Sequence, residues 1–190
     1  MDHLINSEKM HAYMALVLRF RKVLNLTSVS DAAIFKRRFI DPTALMSEYI
    51  PDTGRMLDIG SGMGVPGIPL LILKSGVHGV LVERRKKRAE FLRHVVRELG
   101  LSAEVHDASV EDLPCMHVDI CVARAVTRVN VLLDMCSMHT NRGATAVFPV
   151  PINEVPAVSA GWTFKESFIA NAGSEQRIQI YKWEDVSRET

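Results

Sequence analysis

The 190-residue sequence predicts an α/β fold, with a mostly parallel sheet covered by helices on both faces, an antiparallel C-terminal hairpin and N-terminal helices. Three observations carry this. Between residues 55 and 150 short apolar runs of strand type alternate with helical segments. After Val150 the alternation lapses into two extended runs, WTFKESFIA and RIQIYKW, separated by the turn-like NAGSEQ. Ahead of residue 50 lie two helical stretches, over residues 8–24 and from Ser30-Asp31 toward Pro42. With 47% hydrophobic residues, the chain suits one well-buried domain: an N-terminal helical extension over residues 1–50 and an α/β core over 51–190.

The elements follow in order. In EKMHAYMALVLRFRKVL, residues 8–24, Met14, Leu16, Val17, Phe20 and Leu24 recur at helical spacing, giving an amphipathic helix. A second helical stretch begins after Ser30-Asp31, a plausible N-cap, and runs toward Pro42. Strands are predicted over residues 55–59, 79–83, 103–107, 118–123 and 144–150, with helices over 67–75, 84–99 and 128–139 between them. In the helix over 84–99, Phe91, Leu92, Val95, Val96 and Leu99 make one apolar stripe, and Lys86, Arg93 and Arg97 face the other way. No internal repeat or low-complexity linker interrupts the chain.

Composition excludes several classes. MDHLINSEKM is polar and has no apolar signal-peptide core, and the apolar run over residues 65–73 stops at Lys74, so neither a secretory signal nor a membrane span is expected and the location expected is cytoplasmic. The three cysteines, Cys115, Cys121 and Cys136, lack the spacing of a disulfide framework or a zinc site, and no metal is expected. A net charge of +1 hides two basic runs, one over residues 19–38 and one over 84–97. Each alone reads as a solvated helix face; converging in space, they would suit a polyanion.

The stretch LDIGSGMGVPGIP holds four glycines and two prolines, and it fits two cofactors. Gly62-x-Gly64-x-x-Gly67 matches a dinucleotide-binding turn, whereas Asp58-x-Gly60-x-Gly62-x-Gly64 matches the turn that wraps S-adenosylmethionine. In either case the turn joins the first strand to its helix, where backbone N–H groups and the helix start favour an anionic group. Pro66 and Pro69 are tolerated in the first helical turn. Glu83 ends the second strand about twenty residues on, where an acid can accept from ribose hydroxyls. Val110-Glu111-Asp112 follows the third strand, where an adenine ring would lie.

Several separated motifs make the sequence similar to the RsmG, or GidB, methyltransferases. They are Asn25-Leu26-Thr27, Arg37-Arg38-Phe39-Ile40-Asp41, LDIGSGMGVPGIPL, Lys87-Arg88 with Phe91-Leu92, Val110-Glu111-Asp112, DICVARA over residues 119–125 and the closing GSEQRIQIYK. The resemblance spans about residues 20–183, and its most specific part is the Gly-x-Pro-Gly-Ile-Pro extension of the glycine loop. It implies a Rossmann-like class I S-adenosylmethionine methyltransferase acting on N7 of a guanine in small-subunit (16S) ribosomal RNA. It assigns Asp58, Gly60, Ser61, Gly62, Gly64, Pro66, Gly67, Glu83, Val110, Glu111 and Arg124 to cofactor binding. The sequence departs from the family at Arg38, where histidine is usual, at Pro42, where serine is usual, near Ser109, where an arginine is usual, and at Pro149-Val150, where strand five usually ends in Lys-Gly.

Methyl transfer to guanine N7 uses a lone pair already free, so no general base is required and positioning should supply most of the acceleration. The seven histidines are scattered, which agrees with that chemistry. Arg124, directly after the fourth strand, is the candidate catalytic residue: its guanidinium could stack on the acceptor base or bond to O6. The alternative is an arginine paired with Asp119. Arg37, Arg38, Arg84, Arg85, Lys87, Arg88 and Arg128 are the candidate RNA-binding cations, facing ribosomal RNA or the small subunit as partner. No large apolar face is left over, so a monomer is expected. Cys115 precedes strand four, whereas the nucleophile of a pyrimidine C5 methyltransferase should follow it, and ARAVTR lacks the Asn/Asp-Pro-Pro-aromatic loop of amino-group methylation. A methyltransferase for a small molecule or protein, or a non-catalytic cofactor-binding relative, is the competing reading.

Overall fold

A computed structural model describes residues 7–170 and 175–184. The N-terminal helix α1 (Glu8–Phe20) is capped by the Ser7 side chain, which accepts from Met10 N–H. It buries Met10, Tyr13, Met14 and Val17 and ends earlier than its periodicity predicts, because residues 21–25 turn back and Asn25 takes a left-handed φ of 49°. Asp31 caps the next helix, α2 (Ala32–Phe35), by accepting from Ile34 N–H at 2.8 Å.

The helical run does not stop at Pro42. It widens into a π-helical turn, Lys36–Ile40, in which Asp41 N–H bonds to the Lys36 carbonyl, and resumes as α3 (Asp41–Met46). Proline in a regular helix removes one bond and clashes with the preceding turn; a wider turn just before it relieves both. The Thr43 hydroxyl bonds the Phe39 carbonyl at 2.7 Å.

The core is a seven-stranded sheet: β1 (Thr53–Ile59), β2 (Gly76–Val82), β3 (Ala103–His106), β4 (Val118–Ala123), β5 (Thr140–Pro151), β6 (Trp162–Ile169) and β7 (Gln176–Trp183), in spatial order β3-β2-β1-β4-β5-β7-β6. The first five strands run parallel, and β7 pairs antiparallel with both β5 and β6. This is the predicted topology, with the strand ends adjusted by a few residues. The two hairpin strands are present as expected; four residues of the connecting turn, 171–174, lie outside those described. Helices α4 (Gly67–Leu73), α5 (Lys86–Leu99) and α6 (Val129–Ser137) make the crossovers.

Strand alternation splits the core into two layers. Ile120 and Val122 of β4 join a cluster containing Tyr13, Phe35, Phe39, Leu70 and Leu92, so the N-terminal helices share a core with the sheet. Cys121 and Ala123 face the opposite cluster, against Leu132, Leu133 and Cys136 of α6. The order reverses between β1 and β4, because β1 continues to β2 on one side and β4 begins the other. A crevice must open beyond the carboxyl ends of these two strands, and that is where open α/β sheets bind ligands.

Candidate active site

The glycine loop leaves β1 at that crevice. Gly60, Gly62 and Gly64 all have left-handed φ, at 66°, 57° and 97°. Gly64 is held most tightly: a Cβ there would stand 2.6 Å from Ile68 Cγ1 on a backbone that L side chains rarely adopt. Ser61 N–H bonds the Val82 carbonyl at 3.0 Å, which ties the loop to the end of β2.

Beneath the loop, Asp58 is fully buried. Its Oδ2 accepts from Gly67 N–H at 3.2 Å, at the start of α4, and Oδ1 has no partner. Burial pushes this carboxyl up to about 7, opposed by the nearby Ser61 hydroxyl, which donates to the Asp58 backbone carbonyl at 2.9 Å, and by the Gly67 N–H. Tyr13 lies close by: burial and then the Asp58 charge hold its phenol well above its usual value, and its hydroxyl donates to the Met63 carbonyl at 2.9 Å. Asp58, Gly64, Pro66 and Gly67 therefore shape the loop from below, while the wall of the cleft is made by their neighbours.

That cleft encloses about 520 Å³, ample for a nucleoside-sized ligand. Of the residues predicted to bind cofactor, Gly60, Ser61, Gly62, Glu83, Val110, Glu111 and Arg124 line it. Glu83 is buried, with Oε2 accepting from Gly62 N–H at 3.0 Å and Oε1 from Arg85 N–H at 2.8 Å. Each oxygen keeps a second lone pair, so the carboxylate is fixed in orientation yet able to receive a pair of vicinal hydroxyls. Val110 and Glu111 form a 3-10 turn on the same wall, with the Glu111 carboxyl held low by the Ser109 hydroxyl.

Arg124 stands where β4 ends. Its guanidinium carbon is 4.3 Å from the centroid of the Phe39 ring, and Arg38 approaches the same ring at 5.6 Å. Burial, then the Arg38 charge, lowers the Arg124 pKa to about 10, which leaves it cationic at neutral pH. The alternative partner is overturned: Asp119 accepts from Arg55 N–H at 3.0 Å and from Asn141 Nδ2 at 2.9 Å, and Arg124 makes no ion pair among the described residues. Just beyond, Val126 packs so closely on the glycine loop that a Cβ at Gly60 would stand 2.7 Å from its Cγ2.

The basic candidates divide. Arg84 and Arg85 line the cleft, and Arg38, beside Arg124, brings the first basic run to the same place. Arg37, Lys87 and Arg128 are exposed and lie off the cleft wall, Arg128 as the residue preceding α6. Arg88 lines the cleft as well, but its guanidinium donates to the backbone carbonyls of Leu24 and Asn25. Arg93 lies on the solvent side as expected and there bridges Glu90 and Asp107. Sequence reasoning missed Tyr13, Phe39 and Leu26 as parts of the site; their apolar helical spacing marks burial alone, although Leu26 and Phe39 fall inside motifs singled out above.

Known proteins resemble this chain in sequence and in fold. The family described as GidB, rRNA small subunit methyltransferase G, matches residues 6–148, more than half of the chain. The chain belongs to this family. Among curated relatives, "Ribosomal RNA small subunit methyltransferase G" of Cereibacter sphaeroides (strain ATCC 17029 / ATH 2.4.9) is 33% identical over 159 residues, covering 81% of this chain and 77% of that protein. The protein of the same name from Caulobacter vibrioides (strain NA1000 / CB15N) is 30% identical over 187 residues, covering 95% and 86%. Of solved structures, the putative methyltransferase yhhF from Escherichia coli superposes with a TM-score of 0.65 at 14% identity, covering 84% of this chain and 90% of that one. A mutant of MtNAS in complex with S-adenosylmethionine gives 0.63 at 12% identity, covering 93% and 75%. These two share the fold. As a GidB member the chain is a methyltransferase, and its methyl donor is S-adenosylmethionine.

Proposed function

We propose that this GidB protein transfers the methyl group of S-adenosylmethionine to N7 of a guanine in small-subunit ribosomal RNA. The observation that carries this reading is the composition of the cleft: glycine loop, Glu83 and Arg124 face one space, and its wall among the described residues holds no histidine, cysteine or lysine. The carboxylates on that wall are already engaged, Glu83 by Gly62 and Arg85 N–H and Glu111 by the Ser109 hydroxyl, which suits a nucleophile that needs no deprotonation and no covalent intermediate, as guanine N7 does. Cys115 lies in the loop before β4 and off this wall, as a C5 methyltransferase nucleophile should not.

The cofactor supplies an electrophilic methyl on a sulfonium. The chain's own residues do the rest. Glu83 would take the ribose hydroxyls, Val110 and Glu111 the adenine end, and Gly60, Ser61 and Gly62 would bring backbone to the methionyl end. Arg124 would stack on the guanine or donate to O6, leaving the N7 lone pair free to attack. Its half-buried position strengthens such a contact, since fewer waters compete for the guanidinium. Arg37, Arg38, Arg84, Arg85, Lys87 and Arg128 would meet phosphates.

We further infer a monomer working in the cytoplasm; among the described residues no helix is long and apolar enough to cross a membrane. Transfer from labelled S-adenosylmethionine to small-subunit ribosomal RNA, naked and within the subunit, tests the reading against protein and small-molecule acceptors. Label in the RNA alone supports it, and label in another acceptor contradicts it.

A further inference from the structure

We propose that the chain reversal at residues 24–26, clasped at Leu24 and Asn25 by Arg88, sets Leu26 into the wall of the cofactor cleft, and that Arg88 is a positioning residue for S-adenosylmethionine and makes no RNA phosphate contact. The inference rests on reading the cleft as the donor site.

Arg88 sits in the first turn of α5, next to the glycine loop. Its Nε donates to the Leu24 carbonyl at 3.4 Å and its Nη2 to the Asn25 carbonyl. The remaining nitrogen, Nη1, points at the loop, 4.0 Å from where a Cβ on Gly62 would stand. Gly62 is the residue whose N–H fixes Glu83, at 3.0 Å. One rigid guanidinium therefore spans the chain reversal after α1 and the loop that must hold the methionyl end.

The reversal is built to present those carbonyls. Leu24 N–H bonds Phe20 O at 3.1 Å and Leu26 N–H bonds Arg21 O at 2.9 Å, while Asn25 between them adopts its left-handed φ of 49°. Leu26, the next side chain, lines the cleft. Toward the other end of α1, the buried Tyr13 hydroxyl bonds the carbonyl of Met63, also on the cleft wall. The N-terminal segment is thus tethered at two independent points, to the glycine loop through Met63 and to the start of α5 through Arg88, 50 and 64 residues away in sequence. A guanidinium with two of its three nitrogens already committed to backbone carbonyls is poorly placed to take a phosphate as well.

The test measures S-adenosylmethionine binding by calorimetry and small-subunit RNA binding across a salt series, on the full chain. Arg88→Ala should weaken cofactor binding about tenfold or more, with the salt slope of RNA binding unchanged. Arg88→Lys, a point charge without the fork, should restore only part of the loss. Leu26→Ala, which trims the wall and leaves the clasp intact, should weaken cofactor binding in the same direction and covers the case in which Arg88→Ala fails to fold. Cofactor affinity unchanged in these variants, or a salt slope reduced by about one in Arg88→Ala, overturns the clasp while the donor-site reading stands. Absence of binding by the wild-type chain overturns both.

Discussion

The guanidinium of Arg124 rests on the ring of Phe39, with 4.3 Å from its central carbon to the ring centroid. One residue comes from the loop after β4, the other from the π-helical turn before Pro42. A cation over an aromatic face gains about 0.5–2 kcal/mol, more as water is excluded, so the ring fixes where the arginine points. Phe39→Leu should keep the core filled and lower single-turnover methyl transfer about tenfold. Arg124→Ala should lower it further, by about a hundredfold, with cofactor affinity changed less than about threefold. Transfer retained by Arg124→Ala would remove that residue from the mechanism.

Two glycines of one loop should fail in different ways. A Cβ at Gly67 would meet Asp58 Oδ2 at 2.4 Å and Leu81 Cδ2 at 3.0 Å, so Gly67→Ala must displace the buried carboxyl. Thermal melting should show a loss of about 1–3 kcal/mol. At Gly62 the nearest atom to a Cβ is 3.7 Å away, so the fold has room there despite the positive φ. Gly62→Asp should remain folded at a cost of about 1–2 kcal/mol and lose cofactor binding, because it sets a second carboxylate beside Glu83. Calorimetry and melting on the two variants separate the cases.

Asp58 gives a pH prediction. In the unfolded chain its carboxyl releases a proton near its ordinary value of 3.8; in the fold, burial moves that to about 7. Between these values the folded state binds more protons, so the contribution of Asp58 falls as pH rises, by up to about 1.4 kcal/mol per unit, and is flat above. Asp58→Asn keeps an acceptor for Gly67 N–H and removes the titration. Melting curves from pH 5 to 8 should therefore show a steeper decline for the wild type than for Asp58→Asn. Equal slopes would contradict the assignment.

Much of this was readable from the chain itself. Alternating apolar runs located the parallel strands, and LDIGSGMGVPGIP with Glu83 located the cleft, because close backbone approach and strand-end acids leave direct marks in sequence. What was not readable depends on distant contacts. Pro42 reads as a helix stop, yet a π-helical turn accommodates it. Arg88 looks like its neighbours in a basic run, and only the fold brings Leu24 and Asn25 to it across 64 residues. Tyr13 and Phe39 carry the periodicity of core residues, which they also are, so their contacts with Met63 and Arg124 are invisible until α1 and the π-helical turn dock on the sheet.

Lys87 and Arg128 are exposed and off the cleft wall, so their part in RNA binding can be isolated. The double variant Lys87→Ala/Arg128→Ala should weaken RNA binding and lower the slope of log affinity against log salt by about 1.4–1.8. Cofactor affinity should stay at the wild-type value. An unchanged slope would place the RNA on another face.

The central claim, transfer to guanine N7, is tested most directly by locating the methyl group. N7 methylation makes the glycosidic bond of that guanosine labile after reduction, so small-subunit RNA treated with enzyme and S-adenosylmethionine can be reduced, cleaved and read for strand breaks. The account predicts one break, at a single guanine, appearing only with enzyme and cofactor together. Methylated RNA that carries label and yields no break would place the methyl on another atom and contradict it.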